Sequence, residues 1–441
     1  MQMKTRCQRS AGAVVMLSAL AIASSSIAGP EAAAAVPTFS QHVAPILYEA
    51  CVDCHRPGEV APMSLISYQE TRPWGRSIKN KVLNGEMPPW HADPAVGRFT
   101  NERRLTAAER DTIVRWVDGG APEGDRDQLP PAPSFADGWQ IGTPDLVVEM
   151  PTTFEVPAEG EVDYQYFSAP TGLTEDRWVK AIEVRPGARA VVHHILAFVQ
   201  NPSDARRASA YRQIPVGAAA EAAAARARER GRDIARPAGS GRTLIGTMAP
   251  GTNPQVFKPG TAMRIPKGSE LVFQLHYTSV GESAHDRSRV GLLFADGPPT
   301  REVRAGAFLN AYFEIPAGAS NTQVDALIEF TEDVEMTALF PHSHLLGKRW
   351  EYRLIYPDGQ TQTVLSVPEY DFNWQTYYQF DEPLSVPKGA RLEASAWYDN
   401  SAANKSNPDP TSPSRWGEQT WEEMHYTGIT YTVKTGSNTS R

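Results

Sequence analysis

The sequence is short of cysteine. Only Cys7, Cys51 and Cys54 occur among 441 residues, and Cys7 falls in a leader-like segment, so the mature chain keeps two. That count excludes a disulfide framework. It also excludes a zinc ribbon, which needs a second metal-binding pair. Strong charge is lacking as well: a formal net charge of -8 leaves no basic footprint for nucleic acid. Beyond the leader, no run is long and apolar enough to cross a bilayer. Wholesale disorder is excluded by an ordinary apolar content, and the length suits two or three domains.

Lys4, Arg6 and Arg9 precede an apolar stretch over 11–23, and small residues follow. This is the pattern of a secretory signal, here residues 1–35, and it predicts an exported protein, periplasmic or extracellular, with no membrane span after cleavage.

The two remaining cysteines lie in CVDCH. C-x-x-C-H is the attachment motif of a c-type haem, with Cys51 and Cys54 as thioether links and His55 as the proximal iron ligand. A redox dithiol needs an α/β context that is missing here. Thr38 or Ser40 can cap a helix leading into Cys51, and Thr106 with Glu109 forms a capping box for a second helix. Ile113, Val114 and Val117 stripe that helix. Residues 36–128 thus read as a small cytochrome c-like haem domain. The sixth ligand is expected from Met87 in NGEMPPW, with Met63 and His91 as alternatives. Residues 129–145, rich in Pro and Asp, read as a linker.

The rest reads as β-structure. Short apolar runs such as 145–150, 271–275 and 350–356 end in Pro and Gly turns, and Pro357-Asp358-Gly359 signals a hairpin. Residues 205–236, rich in Ala and Arg, read as a solvated helical insertion. Five of the ten histidines gather here in three places: His193 and His194, His276, and His342 with His344. Alternation along a strand points His342 and His344 the same way, so they can share one metal. His193 and His194 point to opposite faces unless a bulge, a strand end or different ring nitrogens bring them together. His276, alone in an apolar strand, reads equally as a hydrogen-bonded core residue. His425 points away from Met424. His42, His91 and His285 read as surface residues, and Asp371, Asn373 and Tyr377 either line a cleft or finish a strand.

Taken together, His193-His194, Gln274-Leu275-His276-Tyr277, His342-Ser343-His344, and Met424 after Glu422 and Glu423 resemble the copper type II, ascorbate-dependent monooxygenases, the family of peptidylglycine α-hydroxylating and dopamine β-monooxygenases. The resemblance covers roughly residues 146–430. It implies two copper ions, one held by His193, His194 and His276 for electron transfer, the other by His342, His344 and Met424 for catalysis. It also implies two β-sandwich domains, at 146–298 and 299–441. Soft thioether sulfur favours Cu(I), which suits dioxygen chemistry.

The expected fold class is therefore multidomain: a small all-α cytochrome c-like domain followed by two all-β, jelly-roll-like sandwiches. The expected activity is copper-dependent hydroxylation of a C–H bond with dioxygen, acting on a small organic substrate. Electrons reach it from an external donor, ascorbate or a redox protein, through one covalent haem c. The alternative is a periplasmic copper-binding or electron-transfer protein without oxygenase activity. The disulfides of the eukaryotic relatives have no counterpart here, so the cores alone must stabilise the fold.

Overall fold

In the computed structural model the described residues are 35–59, 61–135, 138–202, 209–229, 242–249 and 252–436. The predicted leader at 1–35 lies almost wholly outside them. Strands dominate, at 38% of the chain against 14% helix. Their alternating burial follows from period-two patterning: Thr322–Phe330 buries Val324, Ala326, Ile328 and Phe330 and turns its other face outward. The predicted hairpin forms between Gly347–Ile355 and Thr361–Val367, and Gly359 adopts the left-handed φ of +88° that its turn requires.

A nine-stranded sheet runs through the whole β-region. One half holds Leu146–Glu149, Arg289–Phe294, Arg177–Arg185 and Thr261–Ile265. The other half holds Arg301–Leu309, Tyr426–Lys434, Val334–His342 and Tyr378–Val386, and a parallel pairing of 301–303 with 261–263 joins the two. A four-stranded sheet containing Glu270–Tyr277 and Val192–Gln200 covers the first half. A five-stranded sheet containing Gly347–Ile355 and Arg391–Tyr398 covers the second. Each pairing encloses its own apolar core, one around Ile195, Phe273 and Leu292, the other around Phe330, Trp350 and Ile429.

The five-stranded sheet takes its edge strand, Tyr211–Ile214, from the segment predicted to be a helical insertion. Among the described residues of that insertion, Ala218–Glu229 is helix. Tyr211 is seated over Gly306, where a Cβ would lie 2.3 Å from the tyrosine hydroxyl, and that hydroxyl donates to the Ala307 carbonyl at 3.0 Å.

The expected all-α cytochrome c-like domain is not formed. Residues 37–128 carry four short α-helices, of which the longest, Ala107–Asp118, has 12 residues and starts on the predicted Thr106–Glu109 capping box. They surround a small cluster of Phe39, Leu47, Ile113 and Trp116, and the stretch between the last two helices belongs elsewhere. Trp90 and Phe99 are buried in the core of the second sandwich, with ring centres 5.2 and 5.5 Å from Tyr378. Backbone bonds tie Asp93 to Ser366 and Thr100 to Gln379. Residues 37–441 accordingly form a single compact unit. The Thr106–Glu109 box forms, whereas Thr38 makes no side-chain cap and the α-helix into Cys51 begins at Ala44. The aromatic side chains between the helices find their partners some 280 positions away, where no local pattern points. Part of the predicted linker is also docked: Trp139 covers Gly291, and the Gln140 amide donates to Glu183 at 2.6 Å.

Trp90→Ala is expected to cost about 3–5 kcal/mol and to lower the urea midpoint of the β-core, followed by tryptophan fluorescence and far-ultraviolet dichroism together. A loss confined to helical signal would show that 37–128 folds independently.

Candidate metal centre

His194 is on the Val192–Gln200 strand, paired with His276 on Glu270–Tyr277. Beyond that pair the register slips, and Tyr277 meets Val192, leaving His193 as the extra residue of a bulge. A bulge rotates its side chain off the regular alternation, so both adjacent histidines face one point. The nitrogens of His193, His194 and His276 converge within 4.8 Å of one another. His193 Nδ1 faces His194 Nδ1 at 3.1 Å, and His276 Nδ1 is buried with no hydrogen-bond partner. Three converging imidazoles, one with an unpartnered buried nitrogen, are a donor set that could hold a metal ion. Burial lowers the pKa of all three. His276 falls to about 4, with His193 adding repulsion. His194 is lowered further by the charges of His276, His193, His342 and His344. At neutral pH the three imidazoles are therefore uncharged and their lone pairs are available. Tyr164 lies over the cluster, 5.1 Å from His276 and 5.7 Å from His194 between ring centres.

The second cluster is built differently. His342 ends the Val334–His342 strand, and His344 sits in the turn that follows. Ser343 between them is fully buried and clamped: its amide and carbonyl bond the Tyr370 hydroxyl at 3.1 and 2.8 Å, and its Oγ accepts from Trp350 at 3.0 Å. Gly347 closes the turn where a Cβ would strike Ser343 at 2.5 Å. The two imidazoles are 5.2 Å apart and nearly perpendicular. His342 Nδ1 bonds Gln375 Oε1 at 2.8 Å and His344 Nδ1 bonds the Glu422 carbonyl at 3.2 Å. Oxygens bonded in this way to Nδ1 are of the kind that orient ligating histidines. Burial holds the pKa of His344 near 3, with His342 adding to it.

Glu423 ties the Met424 backbone to the His344 turn. Its carboxylate is fully buried and accepts from the amides of His344, Leu346 (2.9 Å) and Met424 (2.7 Å). Burial pushes its pKa up to about 8 against the pull of those three N–H groups. His425, next along, is turned away as predicted, with its ring 4.7 Å from Trp350 and its Nε2 on the Ala394 carbonyl.

The two clusters face each other across Phe372, whose ring centre is 6.3 Å from His193 and 6.0 Å from His344. Phe372 also lines a groove of about 500 Å³ with Met87, His91, Glu369, Asp371 and Trp374. Asp371 and Asn373 are thus cleft residues, and the strand they might have finished begins only at Tyr378. His91 is half-buried in this groove, not a surface residue. Sequence reading missed Phe372, Gln375 and Tyr164. The one available signal was their closeness to the polar-aromatic stretch 370–378 and to the Tyr-rich strand edge at 164–166.

At Cys51 the chain makes a tight turn, with the Cys54 and His55 amides both bonding the Cys51 carbonyl. His55 Nδ1 bonds the Met63 carbonyl at 3.3 Å, which leaves Nε2 for iron and places the Met63 backbone on the edge of the ring away from it. Both thiols are free, and burial raises their pKa, that of Cys51 to about 12. Met87 is found among the lining of the Phe372 groove. Among the described residues, no helix is long and apolar enough to cross a membrane.

Glu423→Ala is expected to weaken Cu(II) binding at His342 and His344 about 10- to 100-fold while leaving the His193/His194/His276 cluster unchanged, as read by titration of the metal-free chain. The same substitution strands three buried amides and should lower stability by about 3 kcal/mol.

No family model and no curated protein matches the chain. Among solved structures, the major capsid protein of bacteriophage PM2 aligns at 10% identity over 66% of this chain and 99% of its own, with a TM-score of 0.27. The VP2 subviral particle of infectious bursal disease virus aligns at 12% identity over 67% and 76%, with a TM-score of 0.18. Scores this low carry no argument about fold or function.

Proposed function

We propose that the chain is a copper type II monooxygenase that hydroxylates a C–H bond of a small organic substrate with dioxygen. One observation carries the reading: two histidine clusters of unlike build face each other across a single phenylalanine. A storage protein has no use for two unlike sites at one cleft. Copper, when bound, supplies single-electron storage at the three imidazoles and dioxygen activation where thioether sulfur joins two imidazoles.

The chain's own residues prepare both places. His193, His194 and His276 are kept neutral by burial and bring one ring nitrogen each within 4.8 Å of the others. His342 and His344 are locked by Gln375 and the Glu422 carbonyl, and Glu423 fixes the Met424 amide beside them. Phe372 stands between the two clusters, and the groove it lines gives a substrate its approach. The Cys51, Cys54 and His55 turn is read as the attachment point of a c-type haem, with Met87 as sixth ligand, that admits electrons from an external donor such as ascorbate or a redox protein. Residues 1–35 are read as the signal that exports the chain to the periplasm or the extracellular space.

The test is made on the full chain loaded with copper. Two coppers per chain are expected, with a sulfur scatterer in the Cu(I) X-ray absorption spectrum that Met424→Ile removes. Reductant-dependent oxygen uptake with an aliphatic and benzylic substrate panel should fall at least about 100-fold in the same variant. Two bound coppers with no oxygen uptake on any substrate would favour a copper-binding electron carrier instead.

A further inference from the structure

Arg189 belongs to neither histidine cluster, yet it touches what lies on both sides of one. It stands in the turn that leads into the Val192–Gln200 strand, four residues before His193. Its Nε is 3.7 Å from Glu59 Oε2, and its Nη1 donates to Met248 Sδ at 2.8 Å. Glu59 is in the loop that follows His55, and its other oxygen accepts from Arg56 at 3.0 Å. The carboxylate is thus shared between the loop and the first sandwich. Arg103 reinforces this docking from the far side, donating to Asn253 at 2.8 Å. Both Arg103 and Arg189 draw the Cys54 thiol down against burial, and the charge of Arg189 also falls on His193.

The base of Arg189 is rigid. At Gly187 a Cβ would meet the Arg287 backbone at 2.5 Å, and the Ala188 amide donates to Asp286 Oδ1 at 2.8 Å. Asp286 is itself fully buried, bonded by the Tyr277 and Ser288 hydroxyls at 2.8 Å each. A mostly buried guanidinium on so fixed a turn is a clamp with no catalytic duty of its own: its side chain is 22% exposed and that of Glu59 26%.

We infer that Arg189 is a positioning residue that docks the Cys51–His55 loop onto the three-histidine face, so that electrons leave the haem at the His193/His194/His276 site and not at the His342/His344/Met424 site. This rests on the proposed haem and copper reading. Each transfer moves one electron from ferrous haem to cupric copper, giving ferric haem and cuprous copper, with the external donor restoring the haem.

The experiment compares Arg189→Gln, Arg189→Lys and the unaltered full chain by two readouts. In the metal-free chain, amide hydrogen exchange over 52–66 should quicken about fivefold or more in Arg189→Gln and stay near the parent rate in Arg189→Lys, because only the charge clip has changed. Unchanged exchange in Arg189→Gln overturns the docking role, whether or not haem is attached. In the haem- and copper-loaded chain, flash-initiated haem oxidation should slow about tenfold in Arg189→Gln. It should vanish in His276→Ala and persist in His342→Ala. Persistence in His276→Ala with loss in His342→Ala overturns the assigned entry point. Absence of covalent haem by mass spectrometry would instead remove the cofactor reading and leave the exchange result to decide the docking.

Discussion

An apolar seam between two sheets sets everything else. Leu196 and Phe198, on the outward face of the four-stranded sheet, pack with Leu244 against Ala338, Phe340, Tyr377 and Tyr426 on the outward side of the nine-stranded sheet. Alternation then extends each row by one step. His194 continues the row of Leu196 and Phe198, and His342 continues the row of Ala338 and Phe340. The phenylalanine stacks parallel to its neighbouring imidazole, with centres 6.1 Å apart. Shutting the seam therefore brings the two histidine rows to one cleft and dries it. The same dryness keeps the imidazoles neutral, since a charged ring there would lack water to solvate it. One apolar contact thus fixes the spacing of the clusters and the protonation state of their donors.

The clusters gain their precision by different means. The first depends on a backbone fault, the bulge at His193, which folds two consecutive side chains onto one point. The second depends on a buried carboxylate. Glu423 is bonded at once to the His344 turn and to the Met424 amide, so it links two stretches some 80 residues apart. A carboxylate is costly to bury; three convergent amides offset that cost and make the turn and the loop a single piece.

Much of this was legible in the sequence, and the limits follow a rule. The Thr106 capping box and the Pro357-Asp358-Gly359 hairpin are set by residues within a few positions of each other. Sequence spacing reports such features directly. Alternation, by contrast, does not pair His342 with His344, because the strand ends at His342, and the turn beyond it is held by Trp350, Tyr370 and the distant Glu423. Alternation left a bulge, a strand end or different ring nitrogens open for His193 and His194, and the bulge is the one that forms. Phe372, Gln375 and Trp90 were invisible because their partners are set by the packing of distant strands. The expected helical domain failed for the same reason. Helix signals around Cys51 were read from local pattern, while the aromatics between those helices answer to Tyr378 and Phe380. A helix of 7 or 9 residues does not hold itself together without such partners.

Tyr211–Ile214 completes a sheet whose other strands all come later in the chain. Trp90 and Phe99, earlier still, complete the core of that same sandwich. As the chain leaves the ribosome, these pieces must wait through more than a hundred residues for the surfaces they cover. The second sandwich in turn stays unfinished at its edge until they arrive. Such interleaving raises contact order and slows folding. It also means that neither sandwich can be cut away as a working fragment, and that the two rise and melt as one cooperative body.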